Sequence, residues 1–575
     1  MTDLQFASLG GPDAADVIRT AYARDAPHVW THRRPLDDVL RDLESAPNGP
    51  LYGIPFSVKD NIDVAGLPTT AACPDFAYVP AVSAPVVDRL LAAGAILVGK
   101  NNLDQFATGL TGTRSPYGAC ATPFDARYIS GGSSSGSAVA VAAGLVGFSI
   151  GTDTAGSGRV PAALCNVVGL KPSRGLVSTR GIVPACPSLD CPSVFALNVG
   201  DAAAVLAVIE GQDPGDPWSV ARPPSTVEDV SLSNVRLGVP REREFGGDRE
   251  HAAAYAGALA RLSGLGATLV PIDLEPFLAA GRLLYGPWVA ERWTGLGDFV
   301  TAHPGSVHPV TRQVLSAARN YSAAEAFGAM HRLRELRART EPVWADIDAL
   351  ALPTVPTTYT IAEVHANPVR SNAFLGYYTH FANLLDLAAL AVPAAFTPNG
   401  LPVGLSFLAP AGRDGFLAGI GAVFHAATGL TTGATGHALA PAAPPAAGND
   451  GAVLAVVGAH RRGQPLHHQL LARGAVLIGI DRTAPCYRMF QMGDRPGLVR
   501  VSDGGAGVEV ELYRVAAADL GELLVRIPAP LGLGSVTLAD GRTVVGFLAE
   551  SYAVAGRPDI TGYGSWPAYL SAAVP

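Results

Sequence analysis

Cysteine, charge and unbroken apolar stretches are all in short supply in this chain of 575 residues. Six cysteines are too sparse for a disulfide framework at this length. Cys186 and Cys191 lie closest together, in CPSLDC, and a C-x4-C spacing without a second pair reads as two ordinary thiols, not a metal site. Charged residues make up only 16%, and the net charge of −8 is spread along the chain with no Lys/Arg block. That argues against non-specific binding of nucleic acid or of an anionic membrane. The longest apolar run, Ala138 to Ile150, is broken by Gly144 and Gly147 and falls short of the roughly 20 residues a membrane helix needs. The opening MTDLQFASLGGPDAADVIRT has neither the basic region nor the apolar core of a signal peptide. The expectation is a cytoplasmic protein.

Glycine (65) and proline (46) are plentiful, and 48% of the residues are hydrophobic. Such a composition describes a compact, loop-rich globular protein, and the length calls for several domains. One stretch, HALAPAAPPAAGND from His437 to Asp450, reads as an extended Ala/Pro linker. The chain is therefore divided into 1–436, a linker 437–451, and a smaller domain 452–575. In the first part short apolar strands alternate with helical patterns. LYGIPFSVKD reads as strand into loop, VVDRLLAAGAILVGK as helix, turn at Gly94 and strand, SAVAVAAGLV as a buried helix and GFSIGTD as the strand after it. This alternation predicts an α/β fold with a mostly parallel sheet covered on both faces. From about 249 to 345 the pattern changes to amphipathic helices expected to pack over one end of the sheet. GVEVELYRV and GRTVVGFLAESYAV alternate apolar and polar, predicting a mixed α/β or barrel-like sheet in the last domain.

The densest chemical feature runs from Gly131 to Ser173, with small residues clustered at Gly131–Ser137 and again at Thr152–Gly158. A Gly/Ser loop before a helix can bind phosphate through backbone N–H groups, but neither nucleotide-loop spacing is present. Taken alone, the two clusters are compatible with tight turns in a close-packed sheet. Together with Lys59 in IPFSVKDNID, they resemble the amidase signature family over about residues 50–200, and more loosely over the first 430.

The resemblance implies a mixed sheet covered by helices and a serine-nucleophile amidase. Lys59 falls on the family's catalytic lysine. Ser133 falls on the bridging serine, which in the family follows a cis peptide bond, and Ser157 in TAGSGR falls on the nucleophile. Ser134, Ser135 and Ser137 do not keep the spacing and read as loop and helix-cap residues. Thr154, Ala155, Gly156 and Ser157 resemble the family's oxyanion hole, and Asp153 and Arg159 its structural ion pair. The chemistry is coherent. A serine hydroxyl needs a base, and a lysine can serve as one only if a dry site lowers its ordinary pKa near 10.4.

The substrate is suggested by other segments. LLYGPWVAERW, from Leu283 to Trp293, has core packing as its bland reading, yet it resembles a segment of allophanate hydrolases in which a tyrosine and an arginine hold the substrate. That resemblance singles out Tyr285 and Arg292. VLAVVGAHRRGQPLHHQLLARG, RTAPCYR, IPAPLGLGSV and PDITGYGSWPAYL resemble the C-terminal domain of the same enzymes, whose fold is similar to γ-glutamylcyclotransferase. There His468 is the candidate for catalysis, with His460 as the alternative and a solvated histidine the bland reading of each. Arg482, Tyr487 and Arg488 could bind a carboxylate or equally form surface pairs.

The resemblance thus implies hydrolysis of allophanate, release of ammonia by Ser157, and decarboxylation of the product in the last domain. It implies no metal, biotin or nucleotide cofactor. A homodimer is implied, as is a separate urea carboxylase as supplier, since no carboxylase or biotin-acceptor segment is seen. The rivals are an amidase of other specificity, a non-catalytic scaffold and an amidotransferase subunit.

Overall fold

The structure, a computed structural model, describes residues 14–24, 26–439, 452–462, 464–471 and 475–573. The chain forms two compact units, Met1–Pro444 and Pro445–Pro575. Most of the expected linker, residues 440–451, lies outside the described residues. Its first residues belong to the larger unit, because Ala438 pairs with Thr431 and the Thr432 N–H donates to the His437 carbonyl.

The larger unit is built on an eleven-stranded sheet. From one edge its strands are Trp30–Arg33, Ile96–Asn101, Pro55–Lys59, Phe148–Asp153, Cys191–Ala196, Val168–Lys171, Leu387–Phe396, Pro402–Pro410, Ala349–Pro353, Arg236–Pro240 and Thr268–Ile272. The sheet is mixed, and the expectation of mostly parallel pairing is corrected. Pairing is parallel where a helix separates successive strands, as for Pro55–Lys59 beside Ile96–Asn101. It is antiparallel through the middle, where one pair is a tight hairpin, Leu387–Phe396 returning through 397–401 into Pro402–Pro410, and the others join strands distant in the chain.

Both faces are covered, and the strands say so residue by residue. Leu97, Val194, Leu390 and Val392 enter one core cluster, with Val86, Val87 and Leu90 of the helix Pro85–Ala92 and Phe416, Leu417 and Ile420 of Asp414–Ala426. Ile96, Val98, Phe195 and Ala391 point the other way, to Ala138–Ala142 of the helix Ser135–Ala142. That helix is small and apolar all round, so it can sit buried between elements. The segment 249–345 contains the amphipathic helices Arg249–Gly264 and Ala323–Thr340, but also the edge strand Thr268–Ile272. The helix Arg249–Gly264 lies in the main core through Tyr255, Ala258, Leu259 and Leu262, not beyond the end of the sheet.

The smaller unit holds a five-stranded sheet ordered Val476–Arg482, Glu509–Val515, Ala452–Val456, Thr543–Ala549, Leu531–Thr537, with the helix Ala517–Arg526 and a separate hairpin Tyr487–Met492/Arg495–Arg500. Its sheet is antiparallel except for one parallel pair between Ala452–Val456 and Thr543–Ala549.

Candidate active site

Pro55–Lys59 and Phe148–Asp153 run parallel in neighbouring positions, so Lys59 and Asp153 end on the same edge of the sheet. The carboxyl ends of such strands are where an open α/β sheet presents its chemistry. Every residue of both strands is buried. The Lys59 ammonium nitrogen contacts the Ser133 hydroxyl at 2.8 Å and the Thr152 hydroxyl at 2.7 Å. Burial pushes Lys59 down to about 7, against the charges of Asp190, Asp104 and Asp153, which favour the ammonium. The Gly132–Ser133 peptide is cis. Ser134 occupies the N-cap position of the following helix, yet its hydroxyl donates to the Thr152 carbonyl and does not cap the helix.

Ser157 is buried in the turn that follows Phe148–Asp153. Asp153 shapes this turn. Its carboxylate takes both Nε (2.8 Å) and a terminal nitrogen (3.0 Å) of Arg159, a fully buried bidentate pair. It also accepts from the N–H groups of Gly156 (2.8 Å) and Gly158 (3.1 Å). The Gly156 N–H is thus already engaged, which corrects its expected place among the oxyanion donors and leaves its neighbours in the turn for that task. Gly156 matters here for another reason. Its φ of +134° suits glycine alone, and a Cβ would lie 2.4 Å from the Thr379 hydroxyl. That hydroxyl donates to the Ala155 carbonyl at 2.8 Å, bracing the turn from outside.

Arg292 is buried on the helix Val289–Ala302, which begins after the turn that carries Tyr285. Its guanidinium carbon stands 5.4 Å from the Tyr285 ring centre, and a terminal nitrogen makes one long contact, 3.5 Å, to the Thr108 hydroxyl. Among the described residues it has no ion-pair partner and its Nε has no acceptor. A buried cation with unused donors is arranged for an anion it does not yet hold. Three further residues border this region and were not singled out from the sequence. Asp190 bonds the Thr154 hydroxyl, Glu291 bonds Ser188, and His380 packs edge-on against Tyr285, with burial pushing it down to about 3. The short segments SLD and ER carried the first two in plain view, but without a visible partner.

In the smaller unit the candidates are scattered. His468 is exposed, its Nδ1 2.9 Å from the Pro465 carbonyl. His460 stacks on Phe547, with Nε2 3.2 Å from the Gln469 side-chain oxygen. Arg482 donates to the Gly507 carbonyl, the Tyr487 hydroxyl is bonded in the core by the Thr537 N–H, and Arg488 pairs with Asp559 at 3.8 Å. Arg488 thus forms a surface pair, while Arg482 is held by a backbone carbonyl. The polar cluster that does form was missed. The Tyr513 hydroxyl bonds His467 Nε2 and the buried Glu511 carboxylate, each at 3.0 Å, and Arg461 and Arg462 flank Glu511.

A buried lysine on a serine, with a second serine in the glycine turn after the neighbouring parallel strand, is an amidohydrolase arrangement, and the chain belongs to the amidase family, which residues 31–417 match. Residues 452–571 match the allophanate hydrolase C-terminal domain. The structure is similar to that of Kluyveromyces lactis allophanate hydrolase, at 38% identity and a TM-score of 0.78, covering 99% of this chain and 98% of that one. Urea amidolyase of Saccharomyces cerevisiae is 41% identical over 92% of this chain, which spans 30% of that protein's length. A glutamyl-tRNA(Gln) amidotransferase subunit from a Synechococcus species is 35% identical, with coverage of 65% of this chain and 82% of that protein. Among the described residues no helix is long and apolar enough to cross a membrane.

Proposed function

We propose that the protein hydrolyses allophanate, with Ser157 as nucleophile, Ser133 as relay and Lys59 as base. The observation that carries the reading is Lys59 itself: sealed from water, touching Ser133, and near 7 where a base for neutral pH is needed. Ser157 attacks the carbonyl carbon of the terminal amide while its proton passes through Ser133 to Lys59. The N–H groups of Thr154, Ala155 and Ser157 meet the oxyanion, each donor contributing about 2.7–4 kcal/mol. The tetrahedral intermediate breaks its C–N bond, the relay protonates the nitrogen, and ammonia leaves an ester on Ser157. Water then frees N-carboxycarbamate.

Arg292, beside Tyr285, takes the substrate carboxylate. Its unused donors support this, as does the likeness along nearly the full length of the Kluyveromyces lactis allophanate hydrolase. The smaller unit promotes loss of carbon dioxide from N-carboxycarbamate, with His468 or His460 acting there, and the resulting carbamate releases the second ammonia. A urea carboxylase supplies allophanate, and the protein works in the cytoplasm as a homodimer. The amidotransferase reading is disfavoured, since that match leaves the smaller unit without a counterpart.

The test is ammonia release from allophanate, biuret, urea and simple amides. Allophanate should be turned over best, and Arg292→Gln should raise its KM about 10–100-fold, as expected for a lost charged hydrogen bond. A protein that cleaves other amides and leaves allophanate intact would refute the specificity.

A further inference from the structure

The loop 185–190 is tied down by two carboxylates, one at each side of the site. On one side Glu291, next to Arg292 in the chain, accepts from the Ser188 N–H and hydroxyl, each at 2.7 Å, and from the Cys186 thiol at 3.1 Å. On the other, Asp190 accepts from the N–H groups of Ala185 (2.9 Å) and Cys186 (3.1 Å) and, by a short bond, from the Thr154 hydroxyl. The register explains the second contact: Cys191 lies opposite Asp153 in antiparallel strands, so Asp190 meets the residue at which the nucleophile turn begins. Cys186 and Leu189 of this loop pack with Ala155, Leu284 and Leu384 in one apolar cluster.

Asp190 is buried, yet among the described residues it has no ion-pair partner within 4 Å. Burying a carboxylate without one is expensive unless hydrogen bonds hold it, and here donors meet both oxygens, which the single acceptor of an asparagine side chain would not reproduce. Of the charges facing Lys59, Asp153 is matched by Arg159, and Asp104 is spent on the backbone N–H groups of Thr111, Gly112 and Arg114. Asp190 also lines a cavity of about 250 Å³ with Arg180, Pro184 and Trp218.

We propose that Asp190 is a positioning residue for the amide cleavage described above: it fixes Thr154 and hence the Ser157 turn, its charge sets the protonation of Lys59, and Glu291 couples the same loop to the Arg292 helix. This rests on the Ser157–Lys59 reading. Burial pushes Asp190 up to about 6, with the Thr154 bond, the Cys186 and Ala185 N–H groups and Arg292 opposing. An anion there favours the Lys59 ammonium. Removing it lets Lys59 lose its proton at lower pH.

The experiment compares ammonia release from allophanate across pH for the full-length protein and four variants. Asp190→Asn should lower kcat and move the acid limb of the kcat profile down by about 0.5–1 pH unit, the low end for a neighbouring charge. Thr154→Val should lower kcat at least about tenfold with KM little changed, and Thr154→Ser should restore it. Ser157→Ala measured alongside separates the two ideas: if it stays active the nucleophile assignment fails, whatever Asp190 does. With Ser157→Ala silent, an unshifted limb in Asp190→Asn or an undiminished kcat in Thr154→Val overturns the role given to Asp190. Should Asp190→Asn not fold, the Thr154→Val and Thr154→Ser pair decides by the same criterion.

Discussion

The Lys59 nitrogen lies 2.8 Å from the Ser133 hydroxyl oxygen, and neither side chain has exposed surface. In that setting the lysine is useful only when neutral, because its nitrogen must accept the proton that Ser133 passes on. Since burial brings Lys59 down to about 7, kcat/KM should rise with pH through that value and level off above it. Lys59→Met should lose at least about 10²–10³-fold in kcat, the scale of a general base. A pH–rate profile flat from 6 to 8.5 would contradict the assignment.

The same group leaves a mark on stability. Its folded pKa of about 7 lies below the ordinary 10.5, so between these values the unfolded chain binds more protons than the folded one. By linkage, the Lys59 contribution makes the protein more stable as pH rises from about 7 towards 10.5. Lys59→Met lacks this contribution. Its stability advantage over the wild type should therefore be larger at pH 7 than at pH 9. Urea unfolding at both values checks it, and an advantage that does not shrink would show that Lys59 is not depressed.

Gly156 has no tolerance for a side chain. Ala at this position meets an unfavourable φ of +134° and a 2.4 Å approach to the Thr379 hydroxyl. The strain alone is on the order of 1–3 kcal/mol. Relief would require moving either Thr379, which braces Ala155, or the turn that carries Ser157. We expect Gly156→Ala to unfold at lower urea and to lose kcat by about 10²-fold, the scale for a small displacement of reacting groups. Wild-type kcat in the variant would mean that the turn is not the nucleophile's support.

What could be read in the sequence was what neighbours in the chain determine. The strand and turn around Lys59, the buried Ser135–Ala142 helix and the Asp153–Arg159 pair all lie within short segments whose periodicity or motif speaks for itself. The antiparallel middle of the sheet was not seen, although TPNG before Leu401 marks the turn between Leu387–Phe396 and Pro402–Pro410, where Gly400 has a φ of +79°. Asp190 and Glu291 were illegible for a different reason. Their meaning comes from partners 36 and 103 residues away, brought near by strand register and helix placement. In the smaller unit the sequence pointed at PLHHQL and left open which polar group matters, and only the packed sheet joins His467 to Tyr513 and Glu511.

That last contrast yields a test of the second step. His468 is exposed and its Nδ1 faces a carbonyl, so its Nε2 is the atom available to a ligand. His467 instead has Nε2 bonded to Tyr513, whose pKa is raised by burial and by Glu511. If His468 acts on N-carboxycarbamate, His468→Ala should release the first ammonia at the wild-type rate while the carboxylated product accumulates. His467→Ala should disturb the Tyr513–Glu511 cluster and lower stability by about 1 kcal/mol, the usual worth of such a hydrogen bond, with little change in product ratio. Following the carboxylated product and carbon dioxide by 13C NMR of labelled allophanate, with ammonia assayed alongside, distinguishes the two. Accumulation in His467→Ala but not in His468→Ala would move the second site from the exposed histidine to the Tyr513 cluster.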